Sequence, residues 1–289
     1  MEKIGFIGLG IMGKPMALNL IKAGYPVSVY ARRSEAAEPL VQSGAKAYSS
    51  PKELASNVDV IITIVQATAD VEEVLLGKNG IVQTAKPGTI VIDMSTISAG
   101  STKSFAEKLA KKQIEMLDAP VSGGEKGAME GTLTIMVGGK NETLEKVKKI
   151  LSALGKTITL IGDHGAGQVA KACNQIIIAE TIIAVSEALA LAKASGVNPE
   201  KVREALLGGF ASSRVLEIHG KRMLDHNYQP GFKANLHRKD MHIAMEEAHR
   251  LHLKLPSASH ATLELDKLVT KGHSDLDSSA LHLLVEEKG

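Results

Sequence analysis

At 289 residues the chain has room for two ordinary domains and a large core, and its 44% hydrophobic and 23% charged residues are those of a soluble globular protein. A formal net charge of +2 gives no electrostatic footing for nucleic acid or an anionic membrane surface, and 3% aromatic residues with no tryptophan leave few stacking platforms for single-stranded nucleic acid. The single cysteine, Cys173, excludes an internal disulfide and a cysteine-based zinc cluster, and it points to a reducing cytoplasm.

The chain opens on Ile4-Gly5-Phe6-Ile7, a short apolar run that reads as a buried strand. The loop Gly8, Leu9, Gly10, Ile11, Met12, Gly13 follows, and then a helical pattern through Met16, Leu20 and Ile21 that ends at Gly24. This is the GxGxxG pattern between a strand and a helix, the context in which it binds a dinucleotide. The first glycine permits the turn, the second lets a pyrophosphate reach the backbone, and the third lets helix and strand pack closely. The free N–H groups at the helix start attract the phosphates. The motif also accounts for an apolar N-terminus that faintly resembles a signal peptide.

A second strand, Val27–Tyr30, leads into Ala31-Arg32-Arg33-Ser34. An NAD site usually carries an acidic residue here to bond the ribose 2′-hydroxyl. Two arginines and a serine instead suit a 2′-phosphate, so Arg32, Arg33 and Ser34 favour NADP(H), with NAD(H) still possible. Pro51–Asn57 reads as helical. Asp59–Val65 is a continuous apolar strand of the kind found in a parallel sheet covered on both faces, which makes Val65 and Gln66 at its carboxyl end candidate cofactor contacts. Thr89–Met94 is a strand ending in Ser95-Thr96, and Ser101–Lys112 is a helix capped near Ser98 or Ser101. The strand Ile114–Asp118 runs into Ala119-Pro120-Val121-Ser122-Gly123-Gly124, where small residues let a ligand approach backbone N–H groups and the Ser122 hydroxyl adds a bond. Thr132–Val137 reads as a strand, Glu142–Leu154 as a helix and Thr157–Ile161 as the last strand. The predicted fold class is therefore α/β, a Rossmann-type doubly wound parallel sheet over residues 1–163.

Residues 164–289 carry no strand pattern and are expected to form an all-helical domain joined to the first by a long central helix. That helix runs from Gly165 to about Ser195 without proline, and apolar residues occupy nearly every face beyond Gln175, so most of it is expected to be buried. No uncharged apolar run approaches membrane-spanning length, so no span is expected. Gln168, Lys171, Asn174 and Gln175 fall three and four residues apart, on one polar side of its first turns. Lys171 is the candidate proton donor. Further helices are expected at Glu200–Leu207, opened by Pro199, and at Arg214–Met223, Lys239–Leu251 and Thr262–Lys271. His237, His242, His249 and His252 have no metal-binding spacing and read as the polar face of a surface helix, so no metal is expected. Cys173 reads as a packing residue. A long apolar helix in so small a helical domain suggests a subunit interface, in a homodimer or homotetramer.

Four stretches together resemble the β-hydroxyacid dehydrogenase family, the relatives of 3-hydroxyisobutyrate dehydrogenase. They are Gly5–Met16 (GFIGLGIMGKPM), Asp118–Gly124 (DAPVSGG), Gly165–Gln175 (GAGQVAKACNQ) and Leu236–Met241 (LHRKDM). The resemblance spans the whole chain in order and spacing. It implies a catalytic role for Lys171, a substrate-carboxylate site at Ser122, Gly123 and Gly124, and substrate contacts at Asn174, Gln175 and Asp240. It also implies that Thr96 and Lys239 border the nicotinamide. Ala31 departs from the family, many of whose members have Asp there, and this agrees with the arginine reading. Gly123–Gly139 and Leu206–Leu216 resemble the branch that reduces a small carboxylate-bearing aldehyde, with tartronate semialdehyde the expected substrate and a small-molecule ligand the expected partner. Succinic semialdehyde, glyoxylate or 3-hydroxyisobutyrate as substrate, and a non-catalytic NADP-binding sensor, stay open. A lysine ammonium at neutral pH can hand its proton to the alkoxide that a hydride transfer creates.

Overall fold

The structure is a computed structural model that describes residues 1–286. Its strands are β1 (Ile4–Ile7), β2 (Val27–Tyr30), β3 (Lys46–Ala47), β4 (Val60–Thr63), β5 (Ile90–Asp93), β6 (Glu115–Asp118), β7 (Val121–Ser122), β8 (Leu133–Gly138) and β9 (Gly155–Gly162). The helices that alternate with them are α1 (Gly13–Lys22), α2 (Glu38–Gln42), α3 (Pro51–Ala55), α4 (Thr68–Leu76), α5 (Ala99–Ala110), α6 (Gly124–Glu130) and α7 (Asn141–Ser152). After them come only helices: α8 (Ala166–Ala194), α9 (Pro199–Leu207), α10 (Arg214–Leu224), α11 (Ala234–Arg250), α12 (Pro256–Thr270) and α13 (Leu281–Glu286). The chain divides into two compact units, Met1–Lys171 and the part from Ala172 onward.

In the first unit the sheet order is β3-β2-β1-β4-β5-β6-β8-β7, with β9 pairing β8. All pairings from β3 across to β6 are parallel, and β8 then runs antiparallel to β6 and β7. Side chains alternate between the faces with the strand period of two. Val60 and Ile62 of β4 join Ile4, Phe6, Ile90 and Ile92 in one apolar cluster, whereas Ile61, Ile7 and Val91 join a second. Both faces are covered, which explains the unbroken apolar runs of these strands. Caps set the helix starts: the Ser98 hydroxyl accepts from the Ser101 N–H, and Asn198 Oδ1 accepts from the Glu200 and Lys201 N–H groups.

In the second unit one stripe of α8 forms the core. Ala179, Ile182, Val185 and Leu189 pack with Leu216 and Met223 of α10, Met241 of α11, and Leu265 and Leu268 of α12. The expectation that most of α8 is buried fails. Ile177 is 65% and Leu191 69% exposed, and Cys173, read as a packing residue, is exposed as well. The helices of this unit cover one face of α8 and leave an apolar stripe on the other. By length and composition α8 is also apolar enough to cross a membrane, with a mean hydropathy of 1.7 over its most apolar window. Glu180 and Glu187 interrupt it, so it holds no uncharged run of that length, and its buried stripe belongs to the core.

Helix α11 begins at Ala234, five residues earlier than expected, because the Ala234 N–H is tied to the Leu276 carbonyl just past the loop glycine Gly231. His237 therefore lies on the helix fully buried, its Nε2 3.4 Å from the Gln175 carbonyl, and is not part of a polar surface. His242 does face partly outward, 2.9 Å from Asp266.

Asp277 ties together the elements around it. Its carboxylate accepts from the Gly231, Phe232 and Ser279 N–H groups and the Ser279 hydroxyl, and it pairs with Arg222 at 2.9 Å and His219 at 3.3 Å. Burial pushes its pKa up, but the His219, Ser279 and backbone contacts outweigh this and hold it well below the usual carboxylate range. Replacing Asp277 by Ala leaves Arg222 facing a cavity without its partner, and should cost about 3–5 kcal/mol in chemical denaturation at neutral pH. Because the folded pKa is lowered, the contribution is complete above the ordinary carboxylate pKa of about 3.9 and drains away as pH falls below it. The wild-type and variant unfolding curves should therefore converge in acid.

Candidate active site

Parallel pairing places the carboxyl ends of β1, β2, β4, β5 and β6 along one edge of the sheet. The strand order reverses between β1 and β4, the point at which open α/β sheets bind ligands. The candidate residues of the first unit lie on that edge. Gly8 to Gly13 form the turn from β1 into α1, with Leu9 and Gly13 buried and Ile11 exposed. Arg32, Arg33 and Ser34 follow β2 and are exposed. Val65 follows β4, its N–H donating to Ser95 Oγ at 2.9 Å, and Gln66 beside it is exposed. Thr96 follows β5, half-buried. Ser122 pairs with Thr134 between β7 and β8, and Gly123 and Gly124 are exposed at the start of α6.

The glycine turn has two kinds of position. A Cβ on Gly13 would collide with the Gly8 carbonyl oxygen and come within 2.9 Å of Ile64, so packing requires glycine there. A Cβ on Gly10 would meet no heavy atom within 4 Å. The backbone at Gly10 thus presents an open face beside the free N–H groups of α1, which is the surface a pyrophosphate needs. The residues present fit a dinucleotide.

Beneath this edge lies a buried polar network whose members the sequence patterns did not join. Asp93 is fully buried, and one of its oxygens accepts from Thr63 Oγ1 at 2.8 Å, Ser95 Oγ at 2.6 Å and the Ser95 N–H at 3.2 Å. Burial pushes its pKa up to about 6 despite these bonds. Asp118, also fully buried, has a carboxyl raised by burial and opposed by hydrogen bonds from the Gly165 and Gln168 N–H groups. The Gln168 side chain donates to the Ser95 carbonyl and accepts from the Ile97 N–H. In sequence Asp93 and Ser95 are ordinary strand-end residues and Gln168 is one of the polar residues at the start of α8; only the fold brings them together.

Lys171, the last residue of the first unit, is 8% exposed on α8. In the second unit, Asn174 Nδ2 donates to Gln175 Oε1 at 2.8 Å, and Gln175 Nε2 donates to Asp240 Oδ2 at 2.7 Å. Lys239 Nζ lies 2.9 Å from Asp240 Oδ1. The structure thus joins four separately chosen residues, Asn174, Gln175, Lys239 and Asp240, into one chain of contacts between α8 and α11.

Fold and site together define a dinucleotide-dependent oxidoreductase. Residues 3–162 match the NAD-binding domain of 6-phosphogluconate dehydrogenase, and residues 165–285 match the NAD-binding domain of NADP-dependent 3-hydroxyisobutyrate dehydrogenase. The chain is 47% identical over 279 residues to the 2-hydroxy-3-oxopropionate reductase of Escherichia coli K12, covering 96% of this chain and 95% of that one. It is 36% identical over 293 residues to an NAD-dependent L-serine dehydrogenase of Pseudomonas aeruginosa, covering 99% and 98%. A solved structure of Mycobacterium tuberculosis 3-hydroxyisobutyrate dehydrogenase with L-serine superposes with a TM-score of 0.91 at 32% identity, covering 99% of both chains. The chain belongs to the β-hydroxyacid dehydrogenase family, near tartronate semialdehyde (2-hydroxy-3-oxopropionate) reductase, and is an NAD(P)-dependent hydroxyacid dehydrogenase.

The two glycine positions should respond oppositely to alanine. Gly10→Ala is expected to leave thermal unfolding within about 0.5 kcal/mol of wild type while weakening dinucleotide binding about tenfold or more, since a methyl on the open face costs at least ~1.4 kcal/mol of approach. Gly13→Ala is expected to lose about 1–3 kcal/mol of stability through overpacking. Calorimetry with a cofactor titration measures both.

Proposed function

We propose that the chain is an NADPH-preferring reductase that converts tartronate semialdehyde to D-glycerate, with Lys171 as the proton donor. The observation that carries this reading is a buried lysine one turn into α8, three and four residues ahead of the amides Asn174 and Gln175. A lysine so withdrawn from water in a dehydrogenase of this family needs a chemical reason, and proton donation supplies one. When bound, the nicotinamide supplies the hydride. The Ser122 hydroxyl and the Gly123 and Gly124 backbone N–H groups hold the substrate carboxylate. Asn174 orients the substrate, and its own amide is held by Gln175, which Asp240 holds in turn. Lys171 Nζ gives its proton to the carbonyl oxygen as that oxygen becomes an alkoxide. Thr96 and Lys239 border the nicotinamide, and Gly8 to Gly13 take the pyrophosphate.

Arg32, Arg33 and Ser34 are proposed to hold the 2′-phosphate of NADPH. Arg32 Nη1 lies 3.1 Å from Asp70 Oδ1, with the arginine side chain 73% exposed. Such an exposed pair contributes little, so a phosphate can displace it. The identity to a 2-hydroxy-3-oxopropionate reductase supports the substrate. A second reading, oxidation of another hydroxyacid, draws on the relatives named for L-serine and 3-hydroxyisobutyrate.

Cofactor absorbance should be followed with tartronate semialdehyde, succinic semialdehyde, glyoxylate and methylmalonate semialdehyde, each with NADPH and NADH, and with L-serine and 3-hydroxyisobutyrate in the oxidative direction. Tartronate semialdehyde with NADPH is expected to give the highest kcat/KM. Lys171→Ala should lower kcat about 10²–10⁴-fold with NADPH binding retained, and near-normal turnover in that variant would sink the assignment.

Self-association through the second unit is proposed as well. Of the fourteen large apolar residues most exposed among the described residues, eight lie there, including Ile177, Leu191 and Leu263. Light scattering should give two or four times the chain mass of 30.6 kDa, and a monomer mass removes the proposal.

A further inference from the structure

We propose that Asp118 is a positioning residue, whose carboxylate, together with the Gln168 side chain, clasps the first turn of α8 and so aims Lys171. The proposal rests on the reading of Lys171 as proton donor and adds to it the group that fixes where the donor points. From the end of β6, Asp118 Oδ1 accepts the Gly165 N–H at 2.8 Å and Oδ2 accepts the Gln168 N–H at 3.0 Å. These are donors at the start of α8, which begins at Ala166, and they have no carbonyl partner within the helix. Gly165 precedes the helix and brings no capping side chain, so the cap is delivered across 47 residues by a buried anion at the positive end of the helix dipole.

The clasp is tight on every side. A Cβ on Gly138 would come within 2.5 Å of Asp118 Oδ1, and one on Gly167 within 2.8 Å of Oδ2 and into the Met136 carbonyl oxygen. Backbone and carboxylate therefore touch directly, with no side chain between them to yield. The second half of the clasp is the Gln168 side chain, whose Nε2 donates to the Ser95 carbonyl at 2.9 Å and whose Oε1 accepts from the Ile97 N–H at 3.1 Å. Gln168 is thus held at its backbone by β6 and at its side chain by the segment after β5. Lys171 follows it by three residues, less than one helical turn, so any tilt of the first turn moves the amine. Small displacements of a reacting group cost large factors in rate.

An amide cannot replace the carboxylate, because two N–H donors face its two oxygens and the NH₂ of asparagine would oppose one of them. Asp118→Asn is therefore expected to lower kcat about 10- to 100-fold with KM and the NADPH Kd, read from cofactor fluorescence, changed less than about threefold. A purely structural role would lower the folded fraction without this split. Combined with Lys171→Ala, Asp118→Asn should lower the residual kcat no further, since there is no amine left to aim. Wild-type kcat in Asp118→Asn, or losses that multiply in the double variant, overturns the proposal. Failure of the underlying lysine reading is seen separately, as normal turnover in Lys171→Ala alone. If Asp118→Asn does not fold, Gln168→Ala tests the other half of the clasp: the same kcat-selective loss, absent in the Lys171→Ala background, is expected, and unchanged kcat overturns the proposal.

Discussion

Parallel strand pairing is the constraint on which the rest of this structure depends. Parallel strands need crossover helices, and those helices bury both faces of the sheet, so the strands can be short, apolar and interchangeable in composition. The same pairing sends every carboxyl end to one edge. The turns there are released from core packing and can carry Gly10, Arg32 and Gln66. The chemistry of the first unit is therefore a property of strand direction before it is a property of any residue. Where the pairing turns antiparallel, at β6 against β8, the chain places Asp118 opposite Gly138.

Buried carboxylates recur throughout the molecule, and each is handled differently. Asp277 is surrounded by N–H groups, a hydroxyl, an arginine and a histidine, which keep it ionised and make it a structural knot. Asp93 receives only neutral donors on one oxygen and stays close to neutrality in its proton affinity. Asp240 is shared between an amide and a lysine. Asp118 faces a helix start. For Asp93, Asp118 and Asp277 burial by itself raises the carboxyl pKa, and the donor set decides how far that is reversed. Position alone would not separate these four residues.

Helix α8 joins two different demands in one element. Its first turn is tied to the first unit through Asp118, which accepts the Gly165 and Gln168 N–H groups. Farther along, one stripe forms the core of the second unit while Ile177 and Leu191 remain exposed. A helix apolar on both sides looks the same in sequence whether the second side is covered or not.

The first three strands expected from short apolar runs formed close to their expected limits, β1 at Ile4–Ile7 and β2 at Val27–Tyr30 without a shift, because a short run of mostly apolar and branched residues between turn signals is a local signature. The glycine turn was equally legible, since only glycine tolerates the contact at Gly13. Short elements such as β3 and α6 left too little periodicity to be seen, and α11 starts five residues earlier than its sequence pattern indicates because a tertiary tie at Ala234 sets its start. By itself, then, the sequence determined the fold class and the glycine turn, and it placed Lys171, Asn174 and Gln175 three and four residues apart on one helix, all of which depend on contacts a few residues apart. Only tertiary structure decided that Asp118 caps α8, that His237 is buried while Cys173 is not, and that Asn174, Gln175, Asp240 and Lys239 form one chain. Those outcomes depend on partners 47 to 65 residues apart, whose meeting is set by sheet register and helix packing and leaves no local pattern to read.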